Sequence, residues 1–98
     1  MKANTVKMIQ EMIQYGVENV EDFNTMFDIG SIINNQLIYL GVSEPEVKEF
    51  WRAVCSASCL DNKPMTEIVG IEYAEKYAVV VKHIKNSWQM PAWGYAGT

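Results

Sequence analysis

Ser43-Glu44-Pro45-Glu46 is the strongest structural instruction in the chain. A serine followed three residues later by glutamate satisfies two orphan backbone donors at a helix start. A proline in the first turn loses nothing there by lacking an N–H. The tetrapeptide predicts a helix from Glu44 to about Cys59. Similar punctuation recurs on both sides of it. Asn4 is placed to cap a first helix through about Tyr15, with Gly16 at its stop. Asn19 is placed to cap a short second helix carrying Val20, Phe23 and Phe27, and Asp28-Ile29-Gly30 reads as a tight turn. A third helix is expected over Ser31 to Leu40, closed by Gly41.

The last and longest helix is expected from Pro64 to about Trp88, before Pro91 forbids continuation. At about 100° per residue, Val69, Tyr73, Ala74, Tyr77, Val80, Val81, Ile84 and Trp88 share one arc of roughly 140°. The β-branched run Val79-Val80-Val81 invites a strand, but the flanking charges follow a period of 3.6 rather than 2. The expected fold is therefore all-α. It is a single-domain bundle of about five helices over residues 1–88, with a long C-terminal helix and an irregular aromatic tail over 89–98.

At 98 residues there is material for one modest core and no second domain. Apolar residues at 49% and charged residues at 20% fit a folded chain rather than a disordered one. No apolar run approaches the roughly 18 residues of a membrane span. The N-terminus lacks an apolar signal core, so the expected location is cytoplasmic and no membrane partner is expected. The net charge of −4 disfavours nucleic acid as the main partner. The charge is also unevenly spread: residues 11–51 carry eight acids against Lys48 alone, whereas Lys76, Lys82 and Lys85 face no acid from residue 76 onward. An acidic middle of this kind suits a protein partner with a basic surface.

Catalytic and metal chemistry find little to use. Cys55 and Cys59 stand four apart on one helix side, and His83 lies on the polar face of another helix. Together they fall short of the four ligands of a structural zinc site, so no metal and no cofactor is expected. The cysteines read instead as small residues packed beside Val54 and Phe50. Glu44 and Glu46 are explained by the macrodipole of their helix, and the six glycines form no phosphate loop. The chain is expected not to be an enzyme.

From Val20 to Leu40, Phe23, Phe27, Ile29 and Leu37 occupy apolar positions around a turn at Asp28-Ile29-Gly30, and in this the segment resembles a helix-turn-helix. The resemblance implies a transcriptional regulator with a recognition helix over Ser31–Leu40, in which Ser31, Asn34, Asn35 and Gln36 face the bases. The segment departs from that pattern at Asn24, Asp28 and Asn34, and the proposed recognition helix has no Lys or Arg to hold phosphates. DNA binding is accordingly the alternative.

The tail holds Trp88, Met90, Trp93 and Tyr95, residue types enriched at the centres of protein interfaces. Ile68, Ile71 and Val79 interrupt the polar half of the last helix and suggest a homodimer contact. The favoured function is a small acidic, non-catalytic protein that works by stoichiometric protein–protein binding, of the inhibitor, antirepressor, immunity or chaperone/adaptor kind. The tail, with Glu46 and Glu49, is the expected partner-binding surface.

Overall fold

The computed structural model describes residues 1–23, 28–59 and 61–87. Among these residues the chain forms α1 (Ala3–Glu18), a 3₁₀ turn (Val20–Asp22), α2 (Asp28–Tyr39), α3 (Glu44–Ser58), α4 (Lys63–Val69) and α5 (Ile71–Ser87). The all-α expectation holds. Phe27 of the expected second helix, Asn24 and everything from Trp88 onward, including the aromatic tail, lie outside the described residues.

Two helix starts and stops differ from expectation at the first helix. Lys2, in extended backbone at φ −68° and ψ 151°, precedes α1, so Asn4 sits inside its first turn rather than capping it. The helix also runs through Gly16 to Glu18. Gly16 is buried against the side chain of Ile29, so this glycine permits a close crossing of α1 and α2 instead of ending a helix. The actual stop is Asn19. Its backbone N–H donates to Tyr15 O at 3.0 Å and its side-chain Nδ2 donates to the same carbonyl at 2.8 Å. Asn19 thus closes α1 and also precedes the 3₁₀ turn, its carbonyl accepting the Asp22 N–H at 2.9 Å with no side-chain cap, so the expected second helix is one short turn within the described residues.

Asp28-Ile29-Gly30 is likewise the first turn of α2, not a tight turn before it. The expected corner of a helix-turn-helix is therefore not formed at those residues. The other end of α2 follows expectation closely. Gly41 takes φ 73°, its N–H bonds Ile38 O at 3.0 Å, and the Val42 N–H bonds Leu37 O at 3.0 Å. These two bonds make a Schellman stop, in which a left-handed glycine lets the last carbonyls find donors. Ser43 then opens α3, its hydroxyl donating to Glu46 Oε1 at 3.0 Å rather than accepting from the backbone.

The long C-terminal helix is two helices. Gly70 stands between α4 and α5 at φ 87° and ψ 162°, a region that only glycine enters easily. Each helix is closed at the break by a bond to Gly70: its N–H closes α4 on Thr66 O at 2.9 Å and its carbonyl accepts the Ala74 N–H at 3.0 Å. The expected core stripe survives the break: Val69, Ala74, Tyr77, Val80, Val81 and Ile84 are all buried, and Tyr73 packs at their edge.

These residues meet Ile9 and Ile13 of α1, Ile29, Ile33 and Leu37 of α2, Phe50, Ala53, Val54 and Ala57 of α3, and Met65 of α4 in one apolar cluster. The spacings of three and four residues on each helix put these side chains on single faces. Polar cross-links fix the helix directions. Gln10 Nε2 donates to Val69 O at the end of α4 at 3.0 Å and Lys76 Nζ of α5 donates to Gln14 Oε1 at 2.8 Å, so α1 runs in the same direction as the segment from Val69 to Lys76. Trp51 lies opposite Asn34 while Val54 and Trp51 approach Gly30, so α2 and α3 run antiparallel.

One core atom is at odds with its surroundings. The Tyr77 hydroxyl is buried and has no hydrogen-bond partner among the described residues. Burial, reinforced by the nearby Cys55, pushes its pKa well above the ordinary tyrosine value. An unsatisfied buried hydroxyl costs on the order of 1–3 kcal/mol. Tyr77→Phe should therefore stabilise the fold by about 1 kcal/mol, seen as a higher urea midpoint at unchanged slope. A lower midpoint would mean that the hydroxyl is satisfied after all.

Candidate interaction surface

The C-terminal turn of α2 carries Leu37-Ile38-Tyr39-Leu40 in succession. Four consecutive helical residues sweep roughly 300° around the axis, so a single core cannot accept them all. Leu37 is fully buried, and the other three project: Ile38 is 62% exposed, Tyr39 85% and Leu40 54%. Beside them lies a cleft of about 250 Å³ lined by Lys2, Thr5, Leu40, Gly41, Val42, Ser43 and Glu46. The Schellman stop at Gly41 and the start of α3 at Ser43 hold this corner in place.

Charges at the cleft are paired locally. The Glu46 carboxylate accepts the Ser43 hydroxyl and lies 3.3 Å from the Met1 ammonium, while Glu44 and Lys48 approach to 3.8 Å. The Ser43 hydrogen bond first, then the Met1 ammonium and Lys2, hold the Glu46 carboxyl below its ordinary value of 4.5. A lowered folded-state pKa stabilises the fold above the unfolded value and stops doing so as pH falls through the folded one. The stability gap between the wild type and Glu46→Gln should thus be fully open above the ordinary carboxylate value and shrink as pH falls below it, followed by thermal melts at descending pH. A gap that stays constant with pH would show that the carboxylate charge plays no part.

The expected site residues separate into several places. Glu49 is exposed, and Glu46 is partly exposed and engaged by Ser43 and Met1. Trp88, Met90, Trp93 and Tyr95 lie outside the described residues. Ile71 and Val79 are exposed on α5, 67% and 61% respectively. Ile68, by contrast, belongs to α4 and packs against the core, so the expected three-residue strip is not continuous. Ser31, Asn35 and Gln36 are exposed, but Asn34 is half-buried and its Oδ1 accepts the Trp51 indole N–H at 2.6 Å. Asn34 therefore ties α2 to α3 and is not presented to a base edge. Cys55 and Cys59 are exposed thiols rather than the packed small residues expected beside Val54 and Phe50.

Ile38-Tyr39-Leu40 is the site that the residue-type reading passed over. Its signal was available: a run of consecutive apolar residues ending at a helix-stop glycine must leave some of them outside the core. No group of three or more His, Cys, Asp and Glu side chains able to hold a metal ion occurs among the described residues. No helix among them is long and apolar enough to cross a membrane. The fold defines the class as a small all-α bundle. No protein-family model matches the chain, and no curated protein or solved structure is significantly similar to it.

Proposed function

We propose that this protein is a non-catalytic binding module, acting by stoichiometric contact with another protein. The observation that carries the reading is the projecting end of α2, where Ile38, Tyr39 and Leu40 are each exposed to solvent. Tyrosine is a frequent hot-spot residue, and apolar side chains gathered at one helix end beside a cleft offer the anchor and pocket that hot spots use. The reading revises the expected surface. The α2 end and its cleft supply the apolar contact, and the exposed Glu49 is proposed to favour a basic partner. The tail residues Trp88, Met90, Trp93 and Tyr95 are proposed to add to the same binding. No cofactor takes part, and self-association through the α5 residues Ile71 and Val79 and action in the cytoplasm belong to the same proposal.

The test is an affinity pull-down with the tagged full chain from its native host, with and without nuclease, at physiological salt. Retention of one protein in a fixed ratio to the bait, unchanged by nuclease, supports the reading. Retention of DNA that survives physiological salt would replace it with the nucleic-acid alternative through Ser31, Asn35 and Gln36.

A further inference from the structure

We infer that Cys55 and Cys59 form an exposed dithiol that closes reversibly to a disulfide by exchange with a small-molecule disulfide. Both thiols are exposed, and residues four apart on a helix lie on one side of it. Ideal helix geometry sets their Cα atoms about 6 Å apart, within the span a disulfide bridges. Their Cβ atoms, about 5–6 Å apart in a regular helix, must approach by only about 1–2 Å.

In a regular helix the bond from the Cys59 N–H to the Cys55 carbonyl fixes how the two residues are oriented to each other. Here it is not made. The Cys59 N–H turns instead to Ser56 O at 3.0 Å, and the Cys55 carbonyl accepts the Ser58 hydroxyl at 2.6 Å. Cys59 itself caps α3 at φ −97° and ψ 11°, outside the helix proper. The backbone between the two thiols is therefore not locked in a regular helical turn, and it can adjust without breaking a Cys59-to-Cys55 bond.

The exchange balances in two steps. One cysteine, as its thiolate, attacks a sulfur of the small disulfide, forms a mixed disulfide and expels one small thiolate. The second cysteine, also as thiolate, attacks the protein sulfur of that mixed disulfide and expels the other. Two protein S–H groups become one S–S bond, and the small disulfide is reduced to two thiols, which take up the two protons. The cross-link fastens the end of α3 to the connection before α4. That connection carries Asn62, whose carbonyl accepts both the Thr66 N–H and the Thr66 hydroxyl at 2.8 Å and so starts α4.

The probe is glutathione disulfide, added to the reduced full chain and followed by intact mass. The expected product has lost two hydrogens and carries no adduct, and excess dithiothreitol returns it to the starting mass. Cys55→Ser and Cys59→Ser, at exposed positions, should each stop at a single persistent glutathione adduct while keeping the helical circular dichroism of the wild type. Lasting adducts on both thiols of the wild type would overturn the inference. So would a cross-linked dimer, or a chain that does not react.

Discussion

Gly70→Ala should lower the unfolding free energy by about 2 kcal/mol, and with it the thermal midpoint by roughly 10 °C. Nothing lies within 4 Å of the place a Cβ would occupy at Gly70, so crowding contributes nothing. The whole cost is conformational. At φ 87° and ψ 162° the backbone occupies a region that disfavours any L side chain, while alanine recovers only a few tenths to about 1 kcal/mol through a less disordered unfolded chain. D-alanine at the same position, introduced by chemical synthesis, should match or exceed glycine, since its mirror preference fits the positive φ. Circular dichroism distinguishes the rival outcome. If Gly70→Ala gains helicity and stability, α4 and α5 prefer to fuse into one rod and the break does not define the native packing.

A coupled effect of similar size is expected where α1 crosses α2. A Cβ on Gly16 would overlap the Cδ1 methyl of Ile29, a side chain that is itself only 1% exposed. Overpacking of this kind costs typically 1–3 kcal/mol, against about 1 kcal/mol gained by replacing a mid-helix glycine with alanine. Gly16→Ala should therefore be destabilising overall, by about 1 kcal/mol. Ile29→Val removes the offending Cδ1 and alone costs about 1 kcal/mol as a lost buried methyl. In the double variant the nearest remaining atom, Cγ1, would stand at 3.4 Å, an ordinary contact. The double variant should consequently be more stable than the sum of the singles requires, by about 1–2 kcal/mol in a urea-based cycle. Strict additivity would show that the two residues do not meet.

Both predictions turn on glycines whose roles sequence patterning alone does not distinguish. Gly16, Gly41 and Gly70 each interrupt or follow an apolar helical pattern, yet only Gly41 ends a helix in the expected way. Gly16 marks a close crossing, which depends on where Ile29 lies in space. Gly70 bends the chain while leaving the apolar period from Val69 to Ala74 in phase, so periodicity reads straight through it. The core stripe was legible for the same reason, because burial follows the 3.6 period whether or not the axis turns. Long-range polar pairings were not legible. Nothing local to Asn34 tells that Trp51, 17 residues on, will claim its side chain. The exposed cysteines show the converse, since a small residue beside core residues in sequence can still fall on the outer side of its helix.

The binding claim rests on the end of α2, and one comparison addresses it directly. Tyr39→Ala, at a side chain 85% exposed, should leave the urea midpoint within about 0.5 kcal/mol of the wild type, as surface changes usually do. The same substitution should weaken retention of the partner captured by the wild type by at least tenfold, the scale of a hot-spot residue at about 1.4 kcal/mol or more. The measurement is a side-by-side titration of wild type and Tyr39→Ala against that partner. Loss of affinity with unchanged stability is the result the account predicts. Equal affinity for both proteins would contradict it.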